Sequence, residues 1–181
     1  MRIAISGTHG VGKSTLIDEF LRRRPEFVHE PEPYTVMVED LGEEFSAEPS
    51  VEDFRRQLEF NIERLSQHAP EENVIYERCA VDFLAYIHAL DRKSAEAFVE
   101  RVAEAIQHLD LIVYLPLDER TGADEFPKLQ QAVDRRLRSI FRDDEFEITT
   151  NASVVEAEGT TDQRLRTLET AISMNIKHTA G

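Results

Sequence analysis

A glycine-rich segment near the start of the chain constrains the fold more than any other feature of the sequence. It reads Gly7-Thr-His-Gly-Val-Gly-Lys13-Ser14 and matches the pattern G-x-x-x-x-G-K-[ST] in full. The segment follows a short apolar run, Arg2–Ser6, and leads into Ser14–Arg24, where apolar residues recur at helical spacing. A strand that turns through glycines into a helix is the setting in which this pattern binds phosphate, so we predict an anion site here.

The residues of this segment, the phosphate loop, have distinct expected roles. Its glycines let successive backbone N–H groups turn inward around an anion, and the following helix adds partial positive charge at its N-terminus. Lys13 is expected to reach the β- and γ-phosphates of a nucleotide, and the Ser14 hydroxyl is expected to ligate Mg²⁺. The predicted nucleotide-binding residues here are Gly7, Thr8, His9, Gly10, Val11, Gly12, Lys13, Ser14 and Thr15.

Apolar runs and amphipathic stretches alternate along the chain. The predicted strands are Arg2–Ser6, Phe27–Glu30, Asn73–Glu77, Leu111–Leu115 and Ser153–Glu158. The predicted helices are Ser14–Arg24, Ser50–His68, Ala80–Leu90, Ser94–Leu109, Lys128–Phe141 and Thr161–Ile176, and residues 31–49 are predicted to be irregular. Strands separated by helices imply parallel crossovers. We therefore predict a single α/β domain over residues 1–181, with a three-layer, doubly wound, five-stranded parallel sheet.

Composition limits the partners of such a domain. The chain carries 21 Lys and Arg against 36 Asp and Glu, a formal net charge of −15, which disfavours binding to a nucleic-acid backbone. No apolar run approaches the roughly 18 residues of a membrane span, and the N-terminus lacks a secretion signal, so we expect neither membrane insertion nor secretion. Cys79 is the only cysteine, which excludes an intramolecular disulfide and favours a reducing cytoplasm.

Charged residues end the second and third predicted strands, at the sheet edge where this fold class binds ligands. Glu30 ends the second strand, and its carboxylate is expected to accept a proton from an acceptor hydroxyl as the catalytic base. Glu77 and Arg78 end the third. We expect Glu77 to join Ser14 in holding Mg²⁺ and Arg78 to orient the acceptor as a catalytic residue, as Lys13 stabilises charge. A solvated acidic turn and a surface ion pair are the alternatives.

These residues resemble those of P-loop small-molecule kinases. The pairs Glu30-Pro31 and Glu77-Arg78 look like the pattern of deoxynucleoside kinases, in which the acid is the base and the arginine contacts the 5′ end of the acceptor. Tryptophan, which often follows the Glu-Pro pair in that family, is absent from the chain, and Tyr34 is the candidate to contact the acceptor ring. The order of elements also resembles that of thymidylate kinases.

The segment from Glu77 to Tyr86 resembles a second group. It reads Glu-Arg-Cys-Ala-Val-Asp-Phe-Leu-Ala-Tyr and is similar to the Asp-Arg…Asp…Ala-Tyr segment of nicotinamide riboside kinase-type AAA domains, with Glu in place of the first Asp. Asp82 and Tyr86 lie four residues apart and share a helical face, which either meets the acceptor or packs. The acceptor is expected to bind between residues 31–60 and the helix that begins at Ala80.

Kinases must exclude water, and a closing loop that carries a cation does this. Residues 116–127 form the predicted lid, with Arg120 as its catalytic cation. Arg135, Arg136 and Arg138 on the next helix are alternatives, and a third interpretation is that all these arginines simply offset nearby acids.

The turn after the fifth strand is the predicted site for the nucleotide base. Similar kinases wrap adenine with this turn, and Gly159 would allow a close approach of the backbone. Thr160 is expected to contact the nucleotide or to cap the last helix, and Arg164 to stack on the purine or lie at the surface. The chain has no Asn-Lys-x-Asp guanine motif, which favours ATP over GTP.

Three functions remain open from the sequence. The first is a kinase that transfers the γ-phosphoryl group of Mg·ATP to a nucleoside, nucleotide or nucleoside-like metabolite, which the resemblance favours. The second is a regulatory ATPase in which hydrolysis drives a change of shape, and the third is a module that binds a phosphate ligand without catalysis. A homodimer is also considered as the assembly state.

Overall fold

Five parallel strands form the central sheet. The computed structural model describes residues 1–118, 121, 125–148 and 152–179, and its strands are β1 (Arg2–Ser6), β2 (Val28–Glu30), β3 (Val74–Glu77), β4 (Leu111–Tyr114) and β5 (Ser153–Glu156). Their order across the sheet is β2-β3-β1-β4-β5, and every neighbouring pair is parallel. The predicted five-stranded parallel sheet is confirmed.

Helices follow each strand along the described ranges. They are α1 (Lys13–Arg23), α2 (Pro33–Glu39), α3 (Val51–Gln67), α4 (Ala80–Leu90), α5 (Arg92–Glu96), α6 (Val99–Ile106), α7 (Pro127–Asp143) and α8 (Thr161–Thr179), with a short 3₁₀ turn at Glu145–Glu147. No described helix is long and apolar enough to cross a membrane.

Alternate side chains of the central strand β1 enter two apolar cores, one on each face of the sheet. On one face, Ile3 and Ile5 pack with Leu16 of α1 and Leu168 of α8. On the other face, Ala4 packs in a cluster with residues of α3, α4, α6 and α7. Because both faces are covered, the central strands read as continuous apolar runs, and the three-layer prediction is confirmed.

Two predicted segments differ from the structure. Residues 31–49, predicted to be irregular, contain α2, because Pro33 occupies the first helical turn, where a missing N–H costs no hydrogen bond. The single helix predicted over Ser94–Leu109 is instead the pair α5 and α6. The Asp91 carboxylate caps α5 by accepting a hydrogen bond from the Lys93 N–H at 3.0 Å, so that the helix begins before Ser94.

The sheet order places the predicted site. Strand β1 lies between β3 and β4, so the phosphate loop that follows β1 lies between the segments that follow these two neighbours. The segment after β2 lies beyond that of β3 at the same edge. The carboxyl ends of the strands therefore bring the predicted loop, Glu77 and Arg78 together, as expected for this fold class.

Candidate functional site

The phosphate loop turns tightly between β1 and α1. Gly7 and Gly12 have φ angles of 147° and 92°, which side chains other than glycine rarely adopt. A Cβ atom at Gly7 would lie 2.6 Å from the Leu115 carbonyl oxygen, so the end of β4 leaves room for glycine only. A loop of this conformation, followed directly by a helix N-terminus, has the form of an anion-binding nest.

Lys13 begins α1 and its side chain folds back over the loop. The buried Nζ donates a hydrogen bond to the carbonyl oxygen of the buried Thr8 at 2.9 Å. Burial and the nearby Arg78 guanidinium lower the pKa of Lys13 to about 8. An ammonium group that is desolvated in this way gains from a phosphate anion placed beside it.

Ser14 and Glu77 form the predicted metal pair. The Ser14 hydroxyl donates a hydrogen bond to Glu77 Oε1 at 2.8 Å, because β3 lies next to β1 in the sheet. Thr15, the next residue of α1, has an exposed side chain. One hydroxyl and one carboxylate fit Mg²⁺, which is usually held by one or two carboxylates together with nucleotide phosphates and water. Across the described ranges, no three His, Cys, Asp or Glu side chains cluster as metal ligands.

Two side chains of α4 hold the phosphate loop in place. The buried Asp82 carboxylate accepts hydrogen bonds from the Ser6 hydroxyl at 3.0 Å and from the Gly7 N–H at 2.8 Å. The Tyr86 hydroxyl, one turn along the same helix face, accepts a hydrogen bond from the His9 N–H at 3.2 Å. This face therefore supports the loop, and Tyr86 also lines the large cavity described below.

A buried ion pair between Arg78 and Glu32 lies beside the loop. Arg78 Nε donates to the Glu32 carboxylate, and Nη1 donates to the Gly7 carbonyl oxygen at 3.0 Å. Arg78 has a φ of 75°, a conformation that is uncommon for a non-glycine residue and is found preferentially at functional sites. Burial raises the pKa of Glu32, but the charges of Arg78 and Lys13 outweigh burial and hold this pKa below its usual value.

The structure places Glu32, and not Glu30, beside the loop. The Glu30 carboxylate forms an ion pair with Arg64 and a hydrogen bond with His68 Nε2 at 2.8 Å, and Glu30 does not line the large cavity. Arg64 of α3 and the adjacent His68 hold this carboxylate outside the lining of the cavity, so the structure favours Glu32 over the predicted Glu30 as the acid beside the loop. Both acids precede a proline in the sequence, which is the signal that identifies Glu32 as the second candidate.

A large cavity of about 560 Å³ opens beside this ion pair. Phe54 of α3 stacks on Tyr86 of α4 with ring centroids 4.4 Å apart, and Tyr34 of α2 lies 5.0 Å from Phe45. Other lining residues include His9, Asp53, Gln57, Phe83, Glu125, Phe126, Leu129 and Gln130. The cavity lies between residues 31–60 and α4, as predicted, and its aromatic walls and volume suit a small molecule that contains a ring.

A second cavity of about 530 Å³ opens at the start of α8 and is lined by Asp118, Glu158, Gly159 and Gln163. In the sequence, these residues come after β4 and β5, whereas most residues that line the large cavity come after β2 and β3. Since β1 lies between β3 and β4 in the sheet, the phosphate loop that follows β1 lies between the two cavities. Thr160 caps α8: its hydroxyl accepts a hydrogen bond from the Gln163 N–H at 3.4 Å, and its own N–H donates to the Gln163 side chain at 2.8 Å. The site thus has two cavities, one on each side of an anion-binding loop.

A model of the AAA domain family matches residues 2–164. The chain belongs to this family. No curated protein sequence gives a significant match.

Solved structures of kinases have a similar fold. A deoxyadenosine kinase from M. mycoides has 17% identity and a TM-score of 0.65, and the match covers 96% of this chain and 100% of that chain. The NadR protein in complex with NR has 15% identity and a TM-score of 0.67, with coverage of 96% and 51%. A thymidylate kinase from Ehrlichia chaffeensis has 16% identity and a TM-score of 0.62, with coverage of 94% and 97%. The predicted P-loop nucleoside and nucleotide kinase-like fold is confirmed.

Arg164 of this AAA domain is buried against the phosphate loop, whereas the sequence predicts that it stacks on a purine or lies at the surface. Its Nη1 donates to the Val11 carbonyl oxygen at 2.5 Å, and its Nη2 lies 3.3 Å from the Asp118 carboxylate. The side chain is buried and does not line the second cavity. Arg164 therefore links α8 and the segment after β4 to the backbone of the loop.

The predicted lid falls partly outside the described residues, and Arg120 is among those that are not described. On α7, Arg138 pairs with Asp134 at 2.8 Å and Arg136 pairs with Glu145. None of the three arginines proposed as alternatives on this helix lines either cavity. The geometry of Arg136 and Arg138 fits the interpretation in which these arginines offset nearby acids.

Gln130 and Asp118 are further residues that the sequence does not single out. Gln130 Nε2 of α7 donates to the His9 carbonyl oxygen at 2.8 Å, and Asp118 faces Arg164. Both are polar residues in segments with no motif, and their roles depend on contacts with residues more than 40 positions away. No local pattern could have identified them.

Proposed function

We propose that this AAA domain is an ATP-dependent kinase that phosphorylates a small, nucleoside-like acceptor. The observation that carries the proposal is the place of the Glu32–Arg78 ion pair, between the Lys13 loop and the large aromatic cavity. A donor phosphate in the loop and an acceptor in the cavity would meet at this pair. Similar structures were solved with nucleotides: the deoxyadenosine kinase with dCMP and dCDP, and NadR with NAD and AMP-PNP.

On the donor side, the loop amides and Lys13 would hold the phosphates of ATP, and the second cavity would take the base. In phosphoryl transfer the protein acts mainly by positioning and by stabilising charge. Ser14 and Glu77 would hold Mg²⁺, which when bound offsets charge on the β- and γ-phosphates. Asp82 and Arg164 would keep the loop in shape from either side, because both hydrogen-bond to its backbone.

On the acceptor side, Glu32 and Arg78 have complementary roles. The acceptor oxygen forms a bond to the γ-phosphorus, the bond from that phosphorus to the bridging β-phosphate oxygen breaks, and ADP leaves. For a hydroxyl acceptor, Glu32 takes the proton as the catalytic base. Arg78 orients the acceptor and keeps Glu32 ionised, since its charge lowers the Glu32 pKa against the effect of burial.

Acceptor-dependent ADP formation tests this function. The protein is incubated with Mg·ATP and a panel of nucleosides, nucleotides and vitamin-like ribosides, and we expect at least one acceptor to stimulate ADP formation. Slow ADP formation that is the same with every acceptor would contradict a kinase and support a regulatory ATPase.

Substitution of Lys13 is the matching prediction. Lys13→Ala is expected to abolish acceptor-dependent ADP formation and to leave the circular dichroism spectrum unchanged, because the lost ammonium group would bind the phosphates of ATP and is not part of the apolar core. Lys93→Ala is the control, since Lys93 is an exposed lysine on α5 outside both cavities. Full turnover in Lys13→Ala would refute the role of the loop.

A further inference from the structure

We propose that the acceptor of this AAA domain carries no phosphate group and is phosphorylated on a hydroxyl, a proposal that rests on the kinase function above. The observation is the charge around the large cavity. Among the described residues that line it, three carboxylates, those of Glu32, Asp53 and Glu125, accompany one permanently charged cation, Arg78. A second phosphate-bearing substrate would have to enter a cavity whose walls are net negative.

Arg78 is poorly suited to hold an acceptor phosphate. Two of its three guanidinium nitrogens are engaged, Nε with Glu32 and Nη1 with the Gly7 carbonyl oxygen. Its side chain also lies over the Tyr86 ring, 5.3 Å from the ring centroid. Tight phosphate sites use arginine forks that present parallel N–H groups to the anion. Arg78 Nη2 is left to orient the acceptor.

Among the residues that the structure describes, two further cations next to this site, Lys13 and Arg56, do not reverse the charge of the cavity. Lys13 Nζ hydrogen-bonds to the Thr8 carbonyl oxygen inside the donor loop. Arg56 does not line the cavity; it approaches Asp53 at 3.7 Å, pairs with Glu43 and lies over the Phe45 ring. With Arg56 counted beside Arg78, the three lining carboxylates still exceed the cations.

Glu32 points to the same acceptor class for a chemical reason. A hydroxyl must lose a proton when it attacks phosphorus, and a carboxylate at the meeting point of donor and acceptor can take that proton. A phosphate acceptor is already ionised and carries about −1.5 to −2 charges at pH 7, so it needs no base and is repelled by Glu32. A carboxylate at this place therefore helps a hydroxyl acceptor and hinders a phosphate acceptor.

The remaining walls fit the uncharged part of such a molecule. The rings of Phe54 and Tyr34 line the cavity and offer apolar faces to a heterocycle, while Tyr86 is engaged by Phe54 and Arg78. Aromatic faces and carboxylates both favour a neutral or positively charged ring. The acceptor class that the cavity fits is an unphosphorylated nucleoside or riboside.

Matched pairs of acceptors test the proposal. Each nucleoside or riboside of a panel is compared with its own 5′-monophosphate at saturating Mg·ATP, with ADP formation as the rate and mass spectrometry as the product assay. We expect kcat/KM for the preferred nucleoside to exceed that for its monophosphate by 100-fold or more. Equal or better use of a monophosphate overturns the proposal and leaves the kinase function standing. If no member of any pair stimulates ADP formation, the kinase function is contradicted, and this proposal is contradicted with it.

A charge reversal at the cavity gives an independent readout. Glu125→Lys is expected to lower the ratio of nucleoside to monophosphate kcat/KM by at least tenfold, mainly through a lower KM for the monophosphate. Glu26→Lys makes the same change of charge in the exposed turn before β2, at the opposite end of the strands, and is expected to leave the ratio unchanged. A ratio that stays the same in Glu125→Lys would show that cavity charge does not select the acceptor.

Discussion

Glu32, Arg78 and Lys13 depend on one another because the charges of Arg78 and Lys13 are withdrawn from water and that of the half-buried Glu32 lies beside them. Arg78 is only 3% exposed and Lys13 only 4%. The loss of one partner from such a group leaves another charge buried without compensation, which usually costs more than the pair itself contributes. A substitution that keeps the shape of the side chain and removes only its charge is therefore the informative change at this site.

Glu32→Gln is expected to lower kcat by about 10²–10⁴-fold, the range for loss of a general base. The KM for ATP is expected to stay within a few-fold, because the phosphates bind to the loop and not to Glu32. Steady-state kinetics with a saturating acceptor provide both values.

Glu30→Gln is the matched control, with the same change two residues away. Its carboxylate pairs with Arg64 and His68, so we expect a lower melting temperature and little change in kcat. Loss of turnover in Glu30→Gln with activity retained in Glu32→Gln would return the base to the position first predicted from the sequence.

How far the sequence predicts the site depends on the range of the interactions. The phosphate loop is a local pattern, and the Ser14–Glu77 contact follows from two adjacent strand ends, so both could be predicted. The choice between Glu30 and Glu32 depends on basic side chains of α3, and the position of Arg164 depends on a contact with Val11 across 153 residues. Neither contact leaves a periodic signal in the sequence.

The elements around the phosphate loop fix its shape from three sides. Strand β4 ends against Gly7, α4 hydrogen-bonds to the start of the loop through Asp82, and α8 reaches its middle through Arg164. The alternation of strands and helices was predictable because it follows apolar periodicity. Apolar periodicity did not predict the division between α5 and α6 or the start of α2. The Asp91 cap determines where α5 begins, and Pro33 in the first turn determines where α2 begins, and neither depends on the spacing of apolar residues.

Gly7→Ala is expected to destabilise the fold far more than Gly42→Ala. Both glycines have positive φ, but a Cβ at Gly7 would lie 2.6 Å from the backbone oxygen of Leu115, whereas one at Gly42 meets nothing within 4 Å. Gly42→Ala should cost about 1–2 kcal/mol, the penalty for a left-handed L-residue. Urea denaturation gives both free energies of unfolding, and equal losses would mean that β4 does not confine the loop.

Across the whole molecule, the fold buries ionisable groups that couple its stability to pH. His88 of α4 is buried against Phe146, with ring centroids 5.5 Å apart. Burial lowers the pKa of His88, Arg136 and Arg92 lower it further, and Glu145 opposes them. The unfolded chain therefore binds a proton that the folded protein does not, between the lowered pKa and about 6.5. Stability is accordingly lost as pH falls below about 6.5.

His88→Asn removes this contribution. Melting temperatures measured between pH 7.5 and 5.5 are expected to fall less in His88→Asn than in the wild type, whatever the difference between them at pH 7.5. His108→Asn, at a less buried histidine after α6, is the control and is expected to keep the wild-type slope. Identical slopes in His88→Asn and the wild type would exclude His88 as a source of the pH dependence.

The whole arrangement, a phosphate loop between two cavities, is the basis of the claim that this AAA domain transfers a phosphoryl group rather than releasing it to water. Phosphorus NMR tests this most directly, because one spectrum resolves ATP, ADP, inorganic phosphate and a phosphorylated acceptor. With Mg·ATP and the preferred nucleoside or riboside, we expect ADP and a new phosphate ester in equal amounts, with neither formed by Lys13→Ala. ADP and inorganic phosphate appearing at the same rate with and without an acceptor would contradict it.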